Sequence, residues 1–315
     1  MERVLVTGAS GLVGRAVTAR LSSAGYPLTL AGRAAGSAST AATTLRHVGV
    51  GALSATTDWR EALDGCTTVV HLAAQVPGPG IADDSFRAVN DEATAALVQQ
   101  AGSAGVRRFV LMSSIFSVTG NASNVVITDA TDPAPTSAYG RSKLAAERHV
   151  AAFGGQGHVG VSLRPAMVYG AGAAGNWRLL QKLAASGLPL PLGAVRSRRS
   201  MIGVDTLADA VAAVLARPAD APSGAFALAD SDTISLAEVL RLLREGMSRP
   251  ARLVPVPPSL LSGLLRAVGK GGMVNSLLGD LVVDASRFRN TFGWEPKESI
   301  RDGIRRSGAG FAAMR

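Results

Sequence analysis

Residues 3–25, RVLVTGASGLVGRAVTARLSSAG, run from an apolar strand at Val4 to Val6 through three glycines into a helical pattern carrying Leu12, Val13, Ala16, Val17 and Leu21. A strand, a glycine turn and a helix in that order make a dinucleotide-binding unit. In such a unit Gly8 makes the turn, Gly11 lets backbone approach a pyrophosphate at the helix N-terminus, and Gly14 allows close helix packing. The spacing is G-x-x-G-x-x-G, one residue away from G-x-G-x-x-G, in a chain with 36 glycines. Its position after the first strand and before a helix therefore carries the reading, rather than the glycines alone.

Working outward, apolar runs alternate with helical patterns, which predicts strands near 3–7, 27–31, 46–50, 67–72, 107–112 and 159–164. That alternation predicts an α/β fold, a Rossmann doubly wound parallel sheet covered by helices on both faces. Helices over 84–104 and 137–151 should flank the strand that ends in Ser113, and the site should lie at the carboxyl ends of the strands. After Pro165 the texture changes to GAGAAGN, LPLPLG and PVPPSLLSGLL, which interrupt short helical segments. We expect a Rossmann domain over 1–165 and mainly a smaller C-terminal substrate-binding lobe over 166–315. Helix 205–216 should return to the larger domain, making the boundary interwoven.

The segment SAYGRSKLAAE places Tyr139 four residues before Lys143, in a chain with only three tyrosines and four lysines. Residues at i and i+4 share one helix face, so the ammonium can lie beside the phenol and favour its ionised form. An unperturbed tyrosine, with a pKa of about 10, is a poor base at neutral pH. The pair therefore reads as a proton-transfer device.

Composition bounds the alternatives. The 315 residues are 47% hydrophobic, ample for a buried core. The first strand begins almost at once, which speaks against a signal peptide, and no apolar run is long enough to span a bilayer. The expectation is a cytoplasmic protein with no membrane association. The single Cys66 excludes an internal disulfide and a multi-cysteine metal site, and His47, His71, His149 and His158 show no ligand spacing, so no metal is expected. The net charge of +9 is spread along the chain without a basic tail, which argues against a nucleic-acid partner. Its sharpest cluster, Arg196, Arg198 and Arg199, suits a diphosphate better than a solvated loop.

The strings TGASGLVG, VVHLAA, FVLMSS, YGRSK, LRPAMVYG, RRSMIGVDTLADA and VVDASRFRNTFGWEP resemble, essentially end to end, the extended short-chain dehydrogenase/reductases of the NAD-dependent epimerase/dehydratase family. Within it the chain is most similar to bacterial UDP-glucose or UDP-N-acetylglucosamine 4-epimerases, LPLPLGAVRSRRS being the most specific string. The resemblance implies that Tyr139 exchanges a proton with the sugar C4 hydroxyl and that Lys143 binds the nicotinamide ribose and lowers the tyrosine pKa. The third partner is Ser113 or Ser114, with Ser114 favoured and Ser117 a competitor. Sugar dehydratases carry an Asp-Glu pair after that hydroxyl; Ile115 and Phe116 stand there instead, which disfavours dehydration.

By the same resemblance Gly8, Gly11, Leu12, Val13 and Gly14 hold the dinucleotide, with Leu72, Ala73, Ala74, Asn90, Pro165 and Val168 lining it. The family's ribose-binding carboxylate falls on Gly32, followed by Arg33. That removes repulsion of a 2′-phosphate and tips the expectation from NAD toward NADP. Leu53 stands where the family's adenine-contacting Asp is usual. Asn176, also readable as a helix N-cap, and Arg199 match positions that hold uridine diphosphate. A UDP-sugar 4-epimerase is expected first. A 4-ketoreductase of a UDP-4-keto-6-deoxy-N-acetylhexosamine comes second and a non-catalytic NADP-binding regulator third, with homodimerisation left open.

Overall fold

Strands buried on both faces are mainly apolar, and the runs LTLAG, CTTVVH and RFVLM are buried along nearly their whole length, with the polar Thr29, Thr68, His71 and Arg108 buried among them. In the computed structural model, which describes residues 2–34, 45–218, 221–267, 269 and 271–314, they pair with others into a seven-stranded parallel sheet. The chain order is β1 (Arg3–Thr7), α1 (Leu12–Ser23), β2 (Leu28–Gly32), β3 (Leu45–Gly49), α2 (Arg60–Leu63), β4 (Cys66–His71) and α3 (Asp83–Phe86). A π-helical turn (Arg87–Glu92) leads into α4 (Ala93–Ser103), β5 (Arg108–Met112), a 3₁₀ turn (Ile115–Ser117), α5 (Ala138–Gly154), β6 (Val159–Pro165) and β7 (Met167–Tyr169). There follow α6 (Gly175–Ala185), β8 (Met201–Gly203), α7 (Val204–Leu215), β9 (Gly224–Leu228) and α8 (Leu236–Gly246). The last helices are α9 (Pro258–Ala267), α10 (Met273–Leu278), α11 (Ser286–Phe292) and α12 (Ile300–Ala313).

The sheet order is β3-β2-β1-β4-β5-β6-β9. Strand order reverses between β1 and β4, and the crevice beyond the carboxyl ends of those two strands is where ligands bind in open α/β sheets. The six strands expected from sequence all occur. Three more do not follow from it: β9 joins the sheet edge beside β6, and β7 and β8 pair as a separate two-stranded ribbon. Each of these is short, and GAFAL and MIG carry too little periodicity to separate from loop. The expected single helix over 84–104 is broken by the π-turn, whose extra residue per turn re-aims Asn90.

One apolar cluster lies on the α1 and α7 side of the sheet and takes in Phe226 of β9 and Phe288 and Phe292 of α11. A second lies on the opposite face, under α4 and α5. A third, built on Trp177, Leu240, Leu243 and Ile304, belongs to the C-terminal helices. The two-lobe division at Pro165 remains our proposal; the separate third cluster supports it, and the packing of α7 on α1 supports the interwoven boundary. Among the described residues no helix is long and apolar enough to cross a membrane.

Candidate active site at the carboxyl ends of β1, β4 and β5

The loop after β1 fits a dinucleotide on two observations. Gly8 adopts φ +70°, and a Cβ there would lie 2.6 Å from the Ala73 nitrogen; a Cβ on Gly14 would lie 2.0 Å from the Gly8 carbonyl oxygen. Only glycine lets these three backbone segments touch. Helix α1 then starts at Gly11 with no side-chain cap and no acidic residue in its first turn, leaving its N-terminal amides and the positive end of its dipole for an anion. Leu12 packs toward the C-terminal cluster and Val13 toward the sheet cluster, so the first turn of α1 sits between the two.

The opposite wall of the cradle is set by a buried polar chain that sequence reasoning missed. Thr7 Oγ1 lies 2.7 Å from His71 Nδ1 and accepts from the backbone amides of Leu72 and Ala73, each at 3.2 Å. His71 Nε2 lies 3.1 Å from Thr94 Oγ1, which itself donates to the Asn90 carbonyl at 2.7 Å. Because the Thr94 hydroxyl proton is used on Asn90, His71 Nε2 must carry a proton and Nδ1 must accept the one from Thr7. The imidazole is then neutral, in agreement with a pKa pushed down to about 3 by burial and by the nearby Lys143 charge. The signal available in sequence was Thr7 directly before the first glycine, opposite the histidine that opens HLAA.

Asn90 closes the same loop from the other side. Its Oδ1 accepts from the Gln75 amide at 2.7 Å, and its Nδ2 donates to the Gln75 carbonyl at 2.9 Å and to Ser142 Oγ at 3.0 Å. Ser142 Oγ donates to the Tyr139 carbonyl at 2.8 Å, which ties the loop after β4 to the turn of α5 that bears Tyr139. Leu72, Ala73 and Ala74 are half-buried along this wall, and Pro165 and Val168 sit where β6 passes into β7. Leu53 packs its half-buried side chain against the apolar cluster under α4 and α5. Gly32 and Arg33 are exposed at the end of β2.

Helix α5 is capped by Ser137, whose hydroxyl accepts from the Gly140 amide at 3.0 Å. A Cβ on Gly140 would lie 2.2 Å from the Phe116 carbonyl oxygen, so the glycine after Tyr139 lets α5 press against the 3₁₀ turn. Ser114 caps that turn, accepting from the Phe116 amide at 3.2 Å, and it is the serine whose hydroxyl stands near enough to the Tyr139 phenol to pull its pKa down. Ser113 and Ser117 point elsewhere: both hydroxyls reach the Glu147 carboxylate. Of the three candidate serines, Ser114 is therefore the one brought to Tyr139.

Tyr139 is half-buried with its ring edge-on to Phe86, centroids 5.9 Å apart. Burial raises its pKa and the nearby Ser114 hydroxyl opposes the rise. The expected lowering by Lys143 is not what this arrangement produces. The Lys143 ammonium is fully enclosed and donates to the Met112 carbonyl at 2.8 Å, and burial pushes its pKa down to about 8 against the pull of Glu147. In this state the phenol carries its proton at neutral pH, which suits it to donate one.

The residues expected to hold uridine diphosphate are more dispersed. Asn176 is exposed in the first turn of α6, two residues past the Ala174 N-cap, so it does not cap the helix with its side chain. Arg199 is buried, and its Nη1 donates to the carbonyls of Asn121 and Gly279, each at 2.8 Å. Arg198 pairs with Asp280 at 3.2 Å and stays exposed, as does Arg196, which donates to the Gly193 carbonyl at 2.9 Å within its own loop. The structure thus uses two of the three arginines to tie loops together, which differs from an open diphosphate clamp. Spacing cannot reveal this, because their acceptors lie about eighty residues away in sequence.

Comparison with known proteins gives the same picture. A UDP-glucose 4-epimerase of Vibrio cholerae is 32% identical over 273 residues, covering 83% of this chain and 82% of that protein. The fold matches the crystal structure of a UDP-N-acetylglucosamine 4-epimerase from Bacillus cereus with a TM-score of 0.79 at 19% identity, over 99% of both chains. It also matches the Bordetella bronchiseptica enzyme WbmG in complex with NAD and UDP, with a TM-score of 0.76 at 22% identity over 99% of this chain and 95% of that one. Residues 4–229, from the first strand of the glycine cradle to the end of the sheet, match one family throughout, and the chain belongs to the NAD dependent epimerase/dehydratase family.

Proposed function

We propose that the protein interconverts a UDP-hexose or UDP-N-acetylhexosamine with its 4-epimer. The observation that carries this reading is the close approach of α5 to the turn capped by Ser114, made at Gly140, which sets Tyr139 beside that serine with Lys143 one helical turn further on. Gly8, Gly11, Gly14 and Lys143 would hold a nicotinamide dinucleotide, which supplies a hydride acceptor and donor when bound. Tyr139 moves the proton of the C4 hydroxyl: its phenolate takes it as the alcohol is oxidised, and the phenol returns it when the 4-keto group is reduced from the other face. Ser114 orients the phenol and the C4 oxygen. Lys143 supplies positive charge behind the tyrosine once a ligand fills the cleft. Asn176 and Arg196 are exposed polar groups we assign to the nucleotide diphosphate, and Arg199 acts by tying the loop that bears Arg196 to the loops at Asn121 and Gly279.

NAD is the dinucleotide in the Bordetella complex. In this chain Gly32 and Arg33 offer a 2′-phosphate no carboxylate to repel it, so NADP fits as well as NAD. The same dipeptide, together with a Tyr139 that holds its proton, favours one second reading: an NADPH-dependent 4-ketoreductase of a UDP-4-keto-6-deoxy-N-acetylhexosamine.

The test is to incubate the protein with UDP-glucose and with UDP-N-acetylglucosamine in the presence of NAD or NADP and to resolve the epimers by chromatography. Interconversion without net formation of reduced dinucleotide is expected. Consumption of NADPH confined to a 4-keto sugar nucleotide would establish the second reading, and dinucleotide binding with no conversion of any of these would remove both. Tyr139→Phe should keep the fold and dinucleotide binding and lose about 10²- to 10⁴-fold in turnover.

A further inference from the structure

Glu147 lies two helical turns beyond Tyr139 and one beyond Lys143, on the same face of α5. It is 6% exposed, and every oxygen it has is engaged. Oε1 takes the Ser113 hydroxyl, lies 2.7 Å from Ser117 Oγ and accepts from Arg164 Nε at 3.0 Å; Oε2 accepts from Arg164 Nη2 at 2.6 Å. These partners come from the end of β5, the 3₁₀ turn and β6, so one carboxylate joins three elements around the loop that presents Ser114. Ser117 Oγ is also 2.8 Å from the Ser114 carbonyl, which fixes the backbone of that residue from both sides.

A buried ion pair is weak evidence for stability, since apolar residues of similar volume often serve as well. What an apolar pair could not do is gather the two hydroxyls that flank Ser114 and place a negative charge one turn from Lys143. We propose that Glu147 is a positioning residue, which holds the turn from Ser113 to Ser117 and the Lys143 side chain in the arrangement that brings Ser114 to Tyr139. It acts through these groups and touches no reacting atom.

The surroundings of Lys143 are consistent with that role. From β5 it meets the Met112 carbonyl, and from β4 the neutral His71. On its own helix Glu147 is the group that opposes the loss of its proton, while Arg164 on β6 neutralises part of the Glu147 charge.

The inference deepens the proposed function and rests on it for its kinetic test alone. With only four lysines in the chain, ¹³C-lysine labelling resolves the Lys143 side chain by NMR, assigned as the signal lost in Lys143→Met. In Glu147→Gln the Lys143 titration should move down by about one pH unit, whether or not the epimerase reading survives. In the active enzyme kcat should fall about tenfold with KM for the UDP-sugar unchanged, and Glu147→Asp should recover part of the loss. A folded Glu147→Gln protein in which Lys143 titrates as before and kcat is unchanged overturns the proposal. Should that variant not fold, Ser113→Ala leaves the Glu147–Arg164 pair intact and removes one tie to the turn. It should bind dinucleotide normally with kcat lowered several-fold, and an unaltered kcat in it overturns the proposal equally.

Discussion

The dinucleotide cradle and the C-terminal lobe are held in place by opposite means. In the cradle, backbone meets backbone: Gly14 touches the Gly8 carbonyl, Gly8 touches Ala73, and the short polar chain from Thr7 through His71 to Thr94 fills the space between. In the lobe, arginines reach across to carbonyls. Arg244 of α8 is fully buried and donates to Ala184, Leu188, Ala251 and Arg252, while Arg199 does the same for Asn121 and Gly279. Close backbone contact tolerates no added atom but needs no charge. The arginine ties tolerate variation in the loops they hold, because any residue supplies a carbonyl, but each concentrates the stability of several loops in one side chain.

The largest expected effect lies in the lobe. Arg244→Leu would leave four carbonyls with no donor from residue 244 and should cost roughly 3–5 kcal/mol. Urea unfolding should show this as an early transition of the lobe, with dinucleotide binding retained until the second transition. A single unfolding event, with binding lost throughout, would show that the two regions are not separately stable and that the contrast drawn here is one of contacts only.

The cradle should fail next, and in the opposite manner. A methyl group on Gly14 meets a carbonyl oxygen that belongs to the neighbouring turn rather than to a flexible side chain, so relief requires moving backbone. Gly14→Ala should cost about 3 kcal/mol and abolish dinucleotide binding measured by calorimetry. Binding within a few-fold of the parent would mean that α1 can slide away from the loop.

Two buried cations sharpen the contrast through pH. Arg244 stays charged at every accessible pH, so the loss in Arg244→Leu should not depend on pH. Lys143 is pushed down to about 8 from 10.5. Between those values the unfolded chain holds a proton that the folded chain has released, so stability rises with pH across that window. Measured against Lys143→Met, the parent should gain roughly 2 kcal/mol of stability from about pH 8 to about pH 10. A difference that stays flat would mean that Lys143 keeps its proton in the folded protein.

The same contrast explains what could be read in advance. Parallel strands buried on both faces and a glycine turn leave local signatures, and the cradle, its six strands and the Tyr139–Lys143 spacing were legible for that reason. The choice among Ser113, Ser114 and Ser117 leaned to Ser114 on the resemblance alone, because the contacts that separate the three run to Glu147 and its partner Arg164, thirty and more residues downstream. Asn176 entered by the resemblance alone, whereas the arginine cluster suited a diphosphate by its own chemistry. The partners of Arg198 and Arg199 at residues 121, 279 and 280 come from remote loops, and a guanidinium that will bind carbonyls has the same sequence signature as one that will bind phosphate. Strand β9 escaped because five small and apolar residues suit a sheet edge and a loop equally.

The smallest expected effect concerns the charged edge of the cradle. Gly32 and Arg33 stand exposed at the end of β2, where an acidic residue would bond a ribose and repel a 2′-phosphate. Arg33→Asp restores the acid one residue from its usual place, at an exposed position just past β2. It should leave the melting temperature unchanged and shift the ratio of NADP to NAD affinity toward NAD by about tenfold, equivalent to roughly 1.4 kcal/mol. Calorimetric titration with each dinucleotide measures both affinities on the same protein. An unchanged ratio would mean that Arg33 lies along the adenine rather than against the phosphate, since stacking favours the two dinucleotides equally and only a charge contact separates them.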